Sequence, residues 1–113
     1  MLPLNHRLKK REDFAQVFSK GAYAGRDGLS IKYAKNLMLN SRLGFPVGKN
    51  YSKKAVVRNR TRRVLRAACS ELLTSLRPGF DIIILIKPTY QDIELSKVSA
   101  ELKNIFSKAN LLI

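Results

Sequence analysis

Residues 53–66 constrain the fold more than any other segment, because they combine a dense cationic run with a helical pattern. The segment contains two lysines and five arginines. At about 100° of rotation per residue, Arg58, Arg62 and Arg66 follow one another along one side of a helix. Beside them, an arc of roughly 100° collects the apolar and small side chains: Val57, Thr61, Val64, Leu65, Ala68 and Leu72. We therefore expect a helix with one buried face and a rigid row of guanidinium groups next to it.

The same excess of positive charge extends over the whole chain. Its 113 residues contain 22 Lys plus Arg against 8 Asp plus Glu, a formal net charge of +14. The hydrophobic fraction of 45% is that of a folded protein, so the charge does not indicate disorder. Between Lys49 and Ala68 no acidic residue offsets the cations. The length fits one domain, residues 1–113, and the charge predicts a polyanionic partner, most commonly nucleic acid.

Composition excludes several kinds of site. The single Cys69 rules out an internal disulfide, and the single His6 rules out a two-histidine metal site or a Ser-His-Asp triad. The eight acidic residues are scattered, with no clustered pair of the kind that holds two metal ions for phosphodiester hydrolysis. No uncharged apolar run of about 18 residues and no secretory signal are visible. We expect a cytoplasmic protein without membrane association and without an active site of its own.

Hydrophobic periodicity predicts the order of the elements. It indicates a helix over 12–20, strands over 22–24, 29–35 and 42–48, the basic helix over 54–76, a strand over 81–87 and a helix over 93–109. Pro46 should place the 42–48 strand at a sheet edge or bulge. The continuous apolar run over 82–86 is typical of a central strand covered on both faces. The predicted fold class is α+β, a single-domain sandwich of a small sheet and helices.

Phe14 and Phe18 form a second constellation on the first helix. At i and i+4 they share one face, and lysines and arginines flank the helix on both sides. Spacing alone favours an ordinary core role for both rings. The alternative is a platform on which an unpaired base stacks. Tyr33 either extends that platform or belongs to the core, depending on the face of its strand.

The basic helix also resembles a known signature. Arg58-Asn59-Arg60 and its surroundings, residues 55–66, are similar to the arginine-asparagine-arginine signature of the protein subunit of bacterial ribonuclease P. Residues 7–14, 42–49 and 79–83 resemble that family's first helix, the strand leading to the signature and the last strand. The resemblance implies an α-β-β-β-α-β-α order with an unusual left-handed crossover at the signature helix. Such a crossover departs from a handedness rule that holds in about 98% of cases.

The same resemblance implies a function. In the family, a catalytic RNA uses Mg²⁺ to cleave precursor tRNA and leave the mature 5′ end, while the protein binds the RNA and the substrate's 5′ leader. The residues it assigns to binding the catalytic RNA are Lys53, Lys54, Arg58, Asn59, Arg60, Arg62, Arg63 and Arg66. Those it assigns to the leader cleft are Phe14, Phe18, Tyr33 and Lys49. Spacing alone favours a core role for Phe14 and Phe18, whereas the resemblance implies that their exposed edges contact the leader.

Two other functions compete with this interpretation. A small basic ribosomal or RNA-chaperone protein would share the charge, but it needs no Arg-Asn-Arg helix beside a Phe-x-x-x-Phe helix. An autonomous nuclease or a DNA-binding regulator belongs to a different class. The scattered acidic residues argue against the nuclease.

Overall fold

The computed structural model describes residues 3–26, 28–90 and 93–113, and within them the elements follow the predicted α-β-β-β-α-β-α order. The helices are α1 (Arg11–Lys20), α2 (Ala55–Leu72) and α3 (Leu95–Lys108), and the strands are β1 (Ala22–Gly25), β2 (Leu29–Lys35), β3 (Arg42–Gly44) and β4 (Phe80–Ile86). Short 3₁₀ turns cover Leu4–His6 and Leu73–Ser75. The acidic Asp27 and Asp92 lie outside the described residues.

The four strands form one mixed sheet in the order β1-β2-β4-β3. Strands β1 and β4 each pair with β2 in antiparallel orientation, whereas β3 and β4 are parallel. A parallel pair cannot be joined by a hairpin, so α2 forms the crossover between β3 and β4. The predicted edge position of the Pro46 strand and the predicted central position of the 81–87 strand are both confirmed. The left-handed crossing that the resemblance implies stays a prediction.

Both faces of the sheet are covered, and β4 shows why its sequence is continuously apolar. Ile82 and Ile84 join the main core beneath α2 and α3, while Ile83 between them packs in a smaller cluster with Leu8 and Val17 beneath α1. All three isoleucines are fully buried. The largest side chains of the main core come from the sheet, from α2 and α3, and from the segment after α3: Leu29, Ile31, Leu43, Leu65, Ile82, Ile84, Leu102, Phe106 and Leu111.

The predicted boundaries hold within four residues. Helix α2 ends at Leu72 rather than at residue 76, with the 3₁₀ turn following it, and β3 is shorter than predicted. The strand ends at Gly44 rather than at residue 48, because Pro46 has no backbone N–H and the N–H of Val47 turns back to the carbonyl of Phe45 at 2.8 Å. At the other end of the chain, α3 begins at Leu95 rather than at residue 93. The 3₁₀ turn over Leu4–His6 was not predicted, since three residues carry no periodic signal.

Candidate nucleic-acid interface

Helix α2 divides into a buried face and a cationic face much as the pattern predicts. Of the six residues expected in the buried arc, four are buried and Val64 is half-buried. Val57 is 37% exposed instead, because it lies in the first turn, beyond the edge of the core. Cys69, which the pattern left out, is buried with them. On the other side, Arg60 and Arg63 are exposed, while Arg58, Arg62 and Arg66 are half-buried along the boundary.

Two arginines of the signature hold the loop that precedes α2. Arg58 donates from Nη1 to the carbonyls of Ser52 and Lys53, at 3.0 and 2.9 Å. Arg62 donates from Nη2 to the carbonyl of Val47 at 2.5 Å and from Nη1 to Oδ1 of Asn59 at 2.9 Å. Each guanidinium has five N–H donors, so both retain donors for a phosphate. Fixed in this way, the forks lose little conformational entropy when they bind an anion.

A shallow depression of about 470 Å³ runs along this cationic face. It is lined by Val56, Asn59, Arg62, Arg63 and Arg66. The backbone dipoles of α2 add partial positive charge at its amino end. No acidic residue in the first turn offsets this charge. Lys53 and Lys54, both exposed, precede that end directly. Seven of the eight residues assigned to RNA binding are cations, and the structure brings all eight into one segment with a basic surface.

Phe14 and Phe18 lie on the opposite face of the sheet and differ in their exposure to solvent. Phe14 is half-buried, with its ring on the backbone of β3: a Cβ placed on Gly44 would lie 2.5 Å from its Cζ. Phe18, one turn later, is 43% exposed. Nζ of Lys32 donates to the carbonyl of Phe18 at 2.9 Å and lies 6.0 Å from the centre of its ring. Phe14 therefore joins α1 to the sheet, and Phe18 presents an open aromatic surface beside an ammonium group.

Tyr33 and Lys49, the other two residues assigned to the leader cleft, do not join this aromatic surface. Tyr33 borders the open space beside α1, but its ring packs against the main core and lies edge to face with Phe80, 6.5 Å between centroids. Side chains alternate along a strand, so Lys32 and not Tyr33 shares the face of α1. That alternation, with Ile31 and Tyr33 turned to the core, is the signal that could have identified Lys32. Lys49 is exposed in a separate depression with Tyr51 and Lys87, near the carboxyl ends of β3 and β4.

Arg42 fixes α1 to the sheet through two carboxylates. Its Nε and Nη2 bind both oxygens of Asp81, at 2.8 and 2.7 Å, and its Nη1 binds Oδ2 of Asp13 at 3.2 Å. Nδ2 of Asn36 donates to the same Asp81 at 2.9 Å. The hydrogen bond to Asp81 is the main cause that raises the pKa of Arg42. The cations of α2, by contrast, form no ion pair with a carboxylate of the described residues.

Residues that could ligate a metal ion or act as a nucleophile are not clustered within the ranges described. No group of three or more His, Cys, Asp and Glu residues there is placed to hold a metal ion. Cys69 is fully enclosed, and this burial raises the pKa of its thiol well above the usual range, so it stays protonated and unreactive. No helix in the same ranges is long and apolar enough to cross a membrane.

Comparisons with known proteins agree on one family. The family model described as Ribonuclease P matches residues 2–110. A "Ribonuclease P protein component" of Pseudanabaena sp. is 41% identical over 99% of this chain and 97% of its own, and one of Cyanothece sp. is 35% identical over 99% and 98%. Among solved structures, the RNase P protein of Thermotoga maritima is 26% identical, covers 90% of this chain and 96% of its own, and superimposes with a TM-score of 0.79. That of Staphylococcus aureus, 23% identical, covers 96% and 98% with a TM-score of 0.83.

Proposed function

Because the chain belongs to the ribonuclease P protein family, we propose that it is the protein component of an endoribonuclease in which a catalytic RNA removes the 5′ leader of precursor tRNA. Its partners are then the catalytic RNA and the precursor, in the cytoplasm, with no membrane and no obligatory second protein. The Mg²⁺ ions that drive cleavage belong mainly to the RNA.

The observation that carries the proposal is the cationic face of α2. Its arginines lie on a packed helix without a carboxylate partner among the described residues, and two of them are oriented by backbone carbonyls. Arginine forks of this kind suit phosphate oxygens, which accept two parallel hydrogen bonds. We assign the catalytic RNA to this face, from Lys53 to Arg66.

The substrate's leader belongs to the aromatic surface on the other side of the sheet. An unpaired leader of variable sequence requires stacking and phosphate contacts rather than base-edge readout. Phe18 offers an exposed ring for stacking, and Phe14 fixes the helix that carries it. Lys49, although it lies in a separate depression, remains a candidate phosphate contact at the edge of the sheet.

Truncation of Phe18 to Ala tests the assignment of the leader. We expect the variant, assembled with the catalytic RNA, to bind precursor tRNA more weakly by about 1–3 kcal/mol, the worth of one stacked base. Binding of mature tRNA, which has no leader, should be unchanged. Equal losses for both substrates would contradict the leader assignment. Phe14→Ala should show the same preference together with a loss of stability.

Reconstitution distinguishes this function from its competitors. The protein alone should be inert on precursor tRNA, and the protein with the catalytic RNA and Mg²⁺ should release the leader at low salt more efficiently than the RNA alone. Cleavage by the protein alone that vanishes when its own acidic residues are replaced would indicate an autonomous nuclease. A general ribosomal or chaperone role predicts instead that unrelated structured RNAs bind as tightly as the catalytic RNA.

A further inference from the structure

A line of residues paired across the four strands places Tyr23, which has had no functional role so far, next to the aromatic surface of α1. In the strand register, Tyr23 of β1 lies opposite Lys32, Lys32 lies opposite Ile83, and Ile83 lies opposite Gly44. Residues directly opposite one another point to the same face, so all four belong to the face that carries α1. Helix α1 covers Ile83 and Gly44. Tyr23 and Lys32 lie beyond its cover, on the side of Phe18.

The two aromatic rings of this set are open to solvent. Tyr23 is 59% exposed and Phe18 is 43% exposed. Within the described ranges, the aromatic pair in contact is Tyr33 with Phe80, so neither exposed ring stacks on another ring. Directly paired residues of antiparallel strands have Cβ atoms about 5 Å apart, which places Tyr23 immediately beside Lys32.

Lys32 carries an ammonium group whose charge the protein does not neutralise. Its contacts are the carbonyl of Phe18, at 2.9 Å, and the ring of Phe18, at 6.0 Å from the centroid. No carboxylate of the described residues forms an ion pair with it. Phe18, Lys32 and Tyr23 therefore place one cation that no carboxylate neutralises beside two aromatic rings that are open to solvent.

We propose that Phe18, Lys32 and Tyr23 form a binding subsite for unpaired RNA, with bases stacked on the two rings and a phosphate bound by Lys32. The inference rests on the proposed function and extends it, because it places the path of the 5′ leader from α1 towards the β1 edge of the sheet. The charge favours RNA over an apolar peptide: the chain carries +14, and an ammonium group separates the rings. Stacking on open rings is tolerant of sequence, as a leader requires.

Four variants test the subsite in the assembled ribonucleoprotein, with Kd for precursor and mature tRNA as the readout. Tyr23→Leu should weaken precursor binding by about 5- to 150-fold, the worth of one stacked base, whereas Tyr23→Phe should bind like the parent protein. Lys32→Gln should reduce the slope of log Kd against log salt by about 0.7, the value for one phosphate of a single strand, and Lys32→Arg should keep the slope. Mature tRNA should bind all four variants equally well.

Lys103→Gln provides the matched control. Lys103 is exposed on α3, and its loss changes the net charge by the same amount without touching the subsite. If Lys103→Gln and Lys32→Gln change precursor binding equally, the effect is one of overall charge and the subsite is refuted. Replacement Tyr23→p-benzoylphenylalanine adds a test that does not depend on stability, because photocrosslinks should form to the leader and not to the tRNA body.

The outcomes separate this inference from the proposed function. If Phe18→Ala selectively weakens precursor binding while Tyr23→Leu and Lys32→Gln do not, the leader surface stands and the extended subsite is wrong. If no variant distinguishes precursor from mature tRNA, the leader assignment itself fails. Crosslinks from residue 23 to the catalytic RNA instead of the leader would also overturn the subsite.

Discussion

At the scale of single residues, Arg42 shows how one side chain can hold a functional surface in place. It joins β3 to Asp13 of α1 and to Asp81 of β4, and the side chains of Arg42 and Asp81 are only 18% and 9% exposed. The buried carboxylate of Asp81 accepts three hydrogen bonds, two from Arg42 and one from Asn36, and such additional hydrogen bonds are the condition under which a buried ion pair is tolerated. The position of Phe18 above the sheet therefore depends on a residue that lies outside both proposed RNA-binding surfaces.

Replacement of Arg42 by Met should destabilise the protein strongly. It leaves Asp81 buried without a cationic partner, so we expect a loss of about 3 kcal/mol in the free energy of unfolding, measured with urea. Asp81→Asn in the same background should recover part of the loss, because the neutral amide needs no counter-charge. Arg77→Met is the control: Arg77 is exposed, its partners are the carbonyl of Leu112 and Oδ1 of Asn110, and its loss should cost less than 1 kcal/mol. Similar losses for both arginines would contradict this role.

Cys69 should make stability fall at alkaline pH. Burial raises the pKa of the native thiol, whereas the unfolded thiol titrates near 8.5. The contribution of this thiol to the free energy of unfolding is therefore fully present below about pH 8.5. It decreases above that pH, because only the unfolded state then loses the thiol proton. Relative to Cys69→Ala, the free energy of unfolding should fall by about 1.4 kcal/mol between about pH 7 and pH 9.5, under reducing conditions. Parallel pH curves for the two proteins would show that the native thiol ionises.

At the scale of elements, the sequence predicts what local periodicity controls. The 3.6-residue period located α2, and the apolar run over 82–86 identified β4 as central. Long-range pairing was not predictable in the same way: the register that places Tyr23 beside Lys32, and the convergence of Asp13 and Asp81 on Arg42, depend on how strands meet.

Tyr33 illustrates the intermediate case. The alternation of β2 puts Tyr33 on the face of Ile31 and opposite to Lys32, but only the packing of α1 on one face and of α2 and α3 on the other decides which of these two faces meets the main core. A family resemblance assigned Tyr33 to the cleft by position in sequence. A shift of one residue along a strand moves a side chain to the other face, so such an assignment is sensitive to small uncertainties in alignment.

The contact between α1 and β3 predicts an effect of Gly44. A methyl group at this position would lie 2.5 Å from Cζ of Phe14 and 3.3 Å from Cβ of Leu8, so Gly44→Ala must displace the phenylalanine ring. We expect a loss of about 1–3 kcal/mol in stability and weaker binding of precursor tRNA. Gly48→Ala is the matched control, because a Cβ there meets nothing within 4 Å. Equal thermal midpoints for the two variants would show that α1 moves freely on the sheet.

At the scale of the whole molecule, function and stability impose opposite demands on charge. A net charge of +14 repels itself in the folded state, and no cation of α2 forms an ion pair with a carboxylate of the described residues. The repulsion is concentrated on α2 and the residues before it, where Lys53, Lys54 and Arg58 also lie near the positive end of the helix dipole. A polyanion that binds this face relieves the repulsion, so RNA binding should stabilise the fold by mass action and by charge neutralisation.

Arg63 allows this trade-off to be measured. It is exposed on α2 and has no side-chain partner among the described residues, and Gln matches Arg in helix propensity. Arg63→Gln should therefore stabilise the free protein at low salt, by about 0.5 kcal/mol, and weaken its binding to the catalytic RNA. The gain should vanish as salt screens the repulsion, because the Debye length falls from about 30 Å at 0.01 M to about 3 Å at 1 M. Thermal unfolding and RNA titrations over one salt series measure both effects, and a variant that is less stable at low salt would show that Arg63 serves the fold rather than the partner.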